Sequence, residues 1–291
     1  MSLSAKRSFN ATPYLFLLPC MLVFGVFIFF PFAKTVIFSF FLTNSRGKPV
    51  EFVGFENYIK QFSSAQFLNS LKLTLIFAPL VCIPTLVAAY FLAALANTRS
   101  RGSRIYEVMY SLPMAIASAP AAAIWFNLLS SGKNGIMNHL LGTDIRWLLD
   151  AKYALFGVAF VTVWLNIGTG FIFLLTGFRN VSDELIESAR MDGAGYFRRL
   201  FSILTPIASP QIFFVVFLNI VVSFQAFAQI RLLTQGGPSY STNVLVYSIF
   251  QSAIRDTRFE TAFAQSVVLF LIILGVTIIQ FKTEDRMVHY Q

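Results

Sequence analysis

The chain is poor in the residues that build most catalytic and metal sites. Of its 291 residues, 2 are cysteine, 2 are histidine and 12% are charged. Cys20 and Cys82 fall inside apolar runs, where a thiol behaves as a small apolar side chain, and no CxxC or Cys/His spacing indicates a metal site. His139 and His289 fall in different loops, and no pair of carboxylates lies within an apolar run. The sequence offers no catalytic constellation, so we expect a protein that is not an enzyme.

Nucleotide hydrolysis and nucleic-acid binding are also disfavoured. Gly132 and Lys133 resemble the end of a phosphate-binding loop, but Asn134 stands where Ser or Thr is required, and no Gly lies five residues upstream of Gly132. We therefore expect no cofactor and no metal in this chain. The formal net charge of +9 is not gathered into a basic patch with interleaved aromatic residues, so contact with anionic lipid headgroups explains it better than nucleic acid does.

What the chain has in excess is apolar sequence. Hydrophobic residues make up 56% of it, including 34 Phe, and the mean hydropathy is +0.69. A helix needs about 20 apolar residues to cross a hydrocarbon core of about 30 Å. We predict an all-α integral membrane protein that forms a single transmembrane domain over residues 1–291, with charged residues outside the spans. The predicted spans lie near 14–33, 73–95, 108–129, 153–178, 207–230 and 261–281, with a loop at 179–206.

Short basic segments predict the orientation. Lys6 and Arg7 precede the first span, whose apolar run is too long for a signal peptide, so we interpret it as a retained anchor. Arg99, Arg101 and Arg104 lie between the second and third spans. Because positively charged residues favour the cytoplasmic side of a membrane, we expect both termini and the 179–206 loop in the cytoplasm.

Polar side chains cluster in the fourth and fifth spans. Asn219 and Ser223 share one helix face at a spacing of four residues, and Gln225 and Gln229 share another. Uncharged polar groups in hydrocarbon either pair between helices or face water, and both interpretations stay open. If they face water, these groups suit a neutral, polyhydroxylated solute. The candidate path residues are Trp164, Asn166, Thr169, Asn219, Ser223, Gln225 and Gln229.

The loop between these spans concentrates the charge that the rest of the chain lacks. Ser182 before Asp183 and Glu184 is typical of a helix start, with a hydroxyl that caps free backbone amides. We predict a short helix through Arg190, a break at Gly193, and a second amphipathic segment that Pro206 ends. Its predicted apolar stripe consists of Phe197, Leu200, Phe201 and Leu204.

This loop resembles a known signature. Glu187-Ser188-Ala189, Asp192-Gly193-Ala194 and Pro206 are similar, in identity and spacing, to the "EAA" motif of permease subunits from binding-protein-dependent ABC importers. "LLTQGGP" at 232–238 resembles an outer-loop motif of the carbohydrate-uptake branch, and the C-terminal tail is similar to sugar and glycerol-3-phosphate permeases. Three positions depart from the usual motif: Ser182, Ser188 and Thr205. We interpret Thr205 as a weakened packing position.

The resemblance implies a type I ABC importer permease fold, in which the loop forms a coupling helix seated in a cleft of an ATPase subunit. Glu187 would pair with a basic group of the ATPase, and Ala189 would allow close approach. Asp192, Gly193 and Ala194 would fix the bend. Phe201 and Leu204 would root the loop on the spans. The implied coupling residues are Glu187, Ala189, Asp192, Gly193, Ala194, Phe201 and Pro206.

The same resemblance implies an assembly in a bacterial inner membrane. The expected partners are a second permease subunit, two ATPase subunits that hold ATP-Mg, and an external solute-binding protein. The expected solute is a sugar or short oligosaccharide, with glycerol-3-phosphate or a glycerophosphodiester as the alternative. A channel for ions or solutes is the alternative from another class, and conduction without ATP would distinguish it.

Overall fold

The computed structural model describes residues 12–98, 103–131 and 135–287, and the side chains within 15–98, 103–131 and 135–284. Several residues discussed above lie outside these ranges: Lys6, Arg7, Arg99, Arg101, Gly132, Lys133, Asn134 and His289.

The N-terminal part is one apolar helical column whose C-terminal half contacts the last helix of the chain, with Phe32 against Phe270 and Phe38 against Phe263. It consists of α1 (Thr12–Phe24), one π turn (Gly25–Phe29) and α2 (Phe30–Phe38). The π turn directly precedes Pro31, because the wider turn removes the clash between a proline ring and the carbonyl one turn back. No residue from Leu15 to Phe38 is buried, so most of the surface of this helix is free to contact lipid or another protein.

A small hairpin and a short helix follow this column. Strands β1 (Phe41–Thr43) and β2 (Pro49–Phe52) pair antiparallel, with Phe41 opposite Phe52. Helix α3 (Glu56–Phe62) then leads to α4.

The core is built around two long helices, α4 (Ala65–Ala96) and α8 (Ala154–Arg179). They pack closely because small residues face each other: a Cβ added at Gly170 would lie only 3.0 Å from the Cβ of Ala89. Helices α2 and α4 extend past the predicted spans, so Lys34 and Lys72, which lie just outside those spans, still fall within helices.

The third predicted span is not one helix. It is divided into α5 (Ser103–Ala115) and α6 (Ser118–Leu128), whose axes differ by 102°. A continuous helix would require an N–H from Pro120 to bond the Ile116 carbonyl, and proline has none. Pro120 instead occupies the first turn of α6, where a missing donor is harmless. Helix α7 (Ile136–Leu141) follows.

The fifth predicted span is divided as well. Its main helix is α12 (Ser209–Phe224), which ends at a break before α13 (Phe227–Leu233). The C-terminal part consists of α14 (Leu245–Phe250), a π turn (Gln251–Arg255) and α15 (Phe259–Met287). Within the described ranges, 4 helices are long and apolar enough to cross a membrane, or up to 6 if each bent helix pair is one span.

Candidate coupling loop and solute path

The loop after α8 begins with α9 (Asp183–Met191). Ser182 has the extended backbone of an N-cap residue, but its side chain makes no capping hydrogen bond, so the predicted hydroxyl cap is wrong. The start of α9 is favoured instead by Asp183 and Glu184, whose negative charges lie beside the positive end of the helix dipole.

A tight turn reverses the chain after α9. The Ala194 backbone N–H donates to the Ala189 carbonyl (2.9 Å), and the Gly193 N–H donates to the Arg190 carbonyl (3.0 Å), which closes the C-terminus of the helix. Gly193 has φ +77°, a conformation that side chains disfavour, although a Cβ there would meet no atom within 4 Å. The requirement for glycine is therefore one of backbone conformation rather than of space.

The second segment of the loop runs further than the sequence predicts. After α10 (Tyr196–Arg199), a π turn (Leu200–Leu204) leads into α11 (Thr205–Ile207), which lies 75° from α12. Pro206 does not end this segment as predicted, because the π turn accommodates it: the Thr205 N–H bonds the Leu200 carbonyl, five residues back.

Two tyrosines attach this segment to α4. The Tyr196 hydroxyl donates to the Ala94 carbonyl (2.9 Å), and the hydroxyls of Tyr90 and Thr205 lie 2.6 Å apart. The Tyr90 ring also stacks on Phe201, with centroids 6.3 Å apart. Thr205 is therefore a bonded position and not merely a weakened packing position.

The predicted apolar stripe is divided between two environments. Leu200 and Leu204 are buried against α4 and α8, whereas Phe197 and Phe201 are exposed. Ala189 is buried, so its side chain faces the chain's own core rather than the surface where a partner would approach. The exposed residues of the loop include Leu185, Glu187, Met191, Asp192, Phe197 and Arg198, and we call these six the coupling face.

An ion pair joins the start of the loop to a neighbouring helix. Arg179, the last residue of α8, donates from both Nη atoms to the two carboxylate oxygens of Glu107 in α5, at 3.2 and 2.5 Å. A two-point Arg–carboxylate contact fixes orientation as well as distance. A rotation of the loop would therefore be transmitted to α5 as well as to α4.

The candidate path residues are also divided by burial. Asn219 and Ser223 are both buried, and the Ser223 hydroxyl donates to the Asn219 carbonyl (2.6 Å), which favours a packing role. Gln225 lies exposed in the break between α12 and α13, so it does not share a continuous helix face with the partly buried Gln229.

In α8, Thr169 is exposed, and Asn166 and Trp164 are partly buried. The Trp164 ring contacts Trp125 edge to face, with centroids 5.4 Å apart. Close to the break, Arg231 is exposed, and its guanidinium lies 4.7 Å from the centroid of the Phe250 ring. Within the described ranges it has no carboxylate at ion-pair distance.

Comparison with known proteins identifies the family of this chain. Residues 85–289 match the model of the family described as binding-protein-dependent transport system inner membrane component. The chain belongs to this family. The permease is 36% identical over 293 residues to the sn-glycerol-3-phosphate transport system permease protein UgpA of Yersinia enterocolitica, with 99% of each chain covered. It is also 36% identical to the same-named protein of Pectobacterium atrosepticum, with 96% of each covered.

A solved structure supports the fold. The permease superimposes with a TM-score of 0.84 and 21% identity, over 96% of each chain, on a chain of a bacterial ABC transporter involved in the import of the acidic polysaccharide alginate. The predicted family and the predicted type I permease fold are therefore confirmed.

The residues that connect the loop of this permease to its helices were not predicted from the sequence. Tyr90, Tyr196 and Glu107 act through contacts that span 115, 102 and 72 residues of chain. No local pattern marks such partners. Arg231 was missed because it lies one residue beyond the predicted fifth span, although an arginine at the end of an apolar run is itself a visible signal.

Proposed function

We propose that this permease is the membrane-spanning subunit of an ATP-driven importer, and that it translocates a sugar or oligosaccharide delivered by an external binding protein. The observation that carries the proposal is the two-sided coupling loop. One side is rooted in α4 and α8, and the other presents apolar and charged side chains outward. A loop that only covered its own protein would not need both.

The coupling face has the composition of a protein-docking surface. Met191 is 89% exposed and Phe197 66%, and they lie in one loop with the exposed Glu187 and Arg198. Large apolar anchors with charges around them are typical of protein interfaces. In the proposed assembly this face sits in a cleft of an ATPase subunit, and Glu187 pairs with a basic group there.

The proposed transmission follows the contacts of the loop. Closure of two ATPase subunits around ATP-Mg moves α9, and the Tyr196 and Tyr90 bonds carry that displacement to α4, while the Arg179–Glu107 pair carries it to α5. Such a mechanism requires rigid elements that move together between two arrangements. A second permease of similar fold would complete the path between the two chains.

The proposed orientation follows the basic segments. Lys6, Arg7, Arg99, Arg101 and Arg104 lie in short segments, and because basic residues favour the cytoplasmic side, the proposal has both termini and the coupling loop in the cytoplasm of a bacterial cell and the β1–β2 hairpin outside.

The exposed candidate path residues support a polar, uncharged solute. Thr169 and Gln225 are exposed, Asn166 and Gln229 are partly exposed, and all four are neutral hydrogen-bonding groups that suit sugar hydroxyls. Arg231 favours the second candidate, glycerol-3-phosphate or a glycerophosphodiester, because this exposed guanidinium has no carboxylate partner among the described residues and can bind a phosphate.

A channel does not explain the coupling face, because passive conduction needs no motor. The test is copurification of the tagged permease from its host in mild detergent, with bound proteins quantified by mass spectrometry. Two ATPase copies and one further permease chain are expected. Recovery of the permease alone, together with ion conduction in the absence of ATP, would replace the importer with the channel.

A further inference from the structure

Helix α3 has its polar side chains turned inward. The Asn57 side chain is buried, and its Nδ2 donates to the carbonyls of Ser39 (2.9 Å) and Phe41 (3.0 Å). The Tyr58 hydroxyl lies 2.6 Å from the Ser39 hydroxyl. Gln61 accepts a hydrogen bond at its Oε1 from Gln265 Nε2 (2.9 Å). The face that packs on the protein therefore combines these hydrogen bonds with the contact of the Tyr58 ring, whose centroid lies 5.5 Å from that of Phe40.

The outward face of the same segment is apolar. Phe55, Ile59 and Phe62 are 68%, 65% and 50% exposed. Their spacing of four and three residues places them in one stripe along the helix. This arrangement is the reverse of a helix that packs on a water-soluble domain, whose apolar stripe faces the core.

The charges of α3 occupy a third side. At about 100° per residue, Glu56 and Lys60 lie between the apolar stripe and the buried polar face. They pair with each other, with Lys60 Nζ 2.7 Å from Glu56 Oε1, and both remain exposed. The helix thus has one side toward the protein, one charged side and one apolar side, which is the pattern of a helix at the boundary between water and lipid.

The contacts of α3 fix its height relative to the membrane. Ser39 is the residue after α2, and Gln265 lies in the first turns of α15, so α3 is bonded to the ends of two apolar helices. It is followed after two residues by a third, α4, which begins at Ala65. The apolar stripe therefore lies at the level where these apolar helices have their ends.

We propose that Phe55, Ile59 and Phe62 insert into the boundary between headgroups and acyl chains of the lipid bilayer, so that α3 is a lipid-anchored helix beside the membrane spans. The assignment to the outer leaflet rests on the orientation given in the proposed function. The contact with lipid does not depend on that orientation. The stripe contains no charge, whereas the coupling face mixes charges with its apolar residues, so lipid fits α3 better than a protein partner does.

A spin label at each stripe position tests the proposal on the importer purified from its host and placed in phospholipid nanodiscs. Cys20→Ala and Cys82→Ala remove the native thiols, and Phe55→Cys, Ile59→Cys and Phe62→Cys carry the label. Lys60→Cys on the charged side is the matched control. Relaxation by oxygen, which concentrates in lipid, is compared with relaxation by a water-soluble nickel chelate.

We expect the stripe labels to favour oxygen over nickel relative to the label at position 60. Nickel access equal to that at position 60 would place the stripe in water, and low access of both reagents would place it against protein; either result overturns the proposal. The measurement needs neither ATP nor solute, so its failure is separate from failure of the importer.

A conservative variant guards against damage by the labels. The tryptophan fluorescence of Phe55→Trp is measured in nanodiscs whose lipids are brominated either near the headgroup or deep in the chains. The unsubstituted protein, with its 3 native tryptophans, gives the background for this chain. We expect additional quenching that is greater with the shallow bromines. No additional quenching by either lipid would overturn the proposal.

Discussion

The coupling loop and α3 both carry exposed apolar side chains, but they differ in what surrounds those side chains. On the coupling face, Met191 and Phe197 alternate with Glu187, Asp192 and Arg198. On α3 the exposed stripe is uninterrupted, and the only charges of the helix form one pair on another side. Exposure alone does not distinguish a docking surface from a lipid contact, but the placement of charge does.

The two regions also differ in how they are attached. The coupling loop is joined to α4 by tyrosine hydroxyls and by buried leucines, a mixed attachment that can transmit a load. Helix α3 is joined by amide and hydroxyl hydrogen bonds that satisfy buried polar groups. We therefore expect changes in the coupling loop to alter activity strongly.

The largest effect is expected from Gly193→Pro. Gly193 has φ +77° and donates its N–H to the Arg190 carbonyl, and proline permits neither, at a cost of about 3 kcal/mol or more. Solute-stimulated ATP hydrolysis by the reconstituted importer should fall to the unstimulated level while membrane insertion is retained. Gly193→Asn, which tolerates the same backbone conformation, is the control and should keep most activity. Normal stimulation in the proline variant would remove the turn from the mechanism.

Reversal of charge at Glu187 should come next. Glu187→Lys places a cation opposite the basic group of the ATPase with which Glu187 is proposed to pair. Such like-charge contacts cost several kcal/mol. We expect binding of the ATPase to weaken by more than about tenfold, measured by titration of the ATPase onto immobilised permease. Lys60→Glu, a charge reversal on α3, is the control. Equal effects of the two variants would contradict the comparison between the faces.

A smaller effect is expected from the tyrosine attachments. Tyr196→Phe removes the hydrogen bond to the Ala94 carbonyl and keeps the ring, for a loss of about 0.5–1.5 kcal/mol. Stimulated ATP hydrolysis should fall about two- to tenfold, with ATPase binding unchanged, because the loop docks but transmits less. Tyr106→Phe, at an exposed ring, is the control. Loss of ATPase binding in Tyr196→Phe would show that the hydroxyl only shapes the docking face.

The smallest effects are expected at the candidate path residues, where they distinguish exposed from buried positions. Gln225→Ala, at an exposed position, should change stimulation by solute about two- to fivefold at unchanged melting temperature. Asn219→Ala, at a buried position, should lower the melting temperature and leave the solute response intact, because it removes packed atoms. Thermal unfolding and solute-dependent ATP hydrolysis, measured on both variants, check the division. The opposite assignment of effects would place Asn219 on the path.

The sequence predicted the helices whose signal is local. Hydropathy predicted α8 to within one residue at each end and α4 at its C-terminal end, and the pattern Asp192-Gly193-Ala194 predicted the turn, because glycine at positive φ is a local requirement. A proline within a span predicts a kinked or broken helix, so Pro120 indicated the break in the third span, although apolarity continues across Ile116 and Ala117. The break at Gln225 and Ala226 has neither proline nor glycine, so nothing local marks it.

The sequence could not predict which side chains of each loop are buried and which are exposed, for a different reason. Phe197 and Leu200 are equivalent in hydropathy, and only contacts from α4 and α8 decide that Leu200 is buried and Phe197 is not. The same holds for α3, where polar Asn57 faces inward because carbonyl groups after α2 need donors.

The most direct test of the distinction between the two faces is photo-crosslinking. p-Benzoylphenylalanine is introduced at the position of Met191 or of Ile59 in the assembled importer, and the products are identified by mass spectrometry. The account predicts a crosslink from position 191 to an ATPase subunit and crosslinks from position 59 to lipid but to no protein. An importer that retains its ATPase subunits yet gives no ATPase crosslink from position 191 would contradict it.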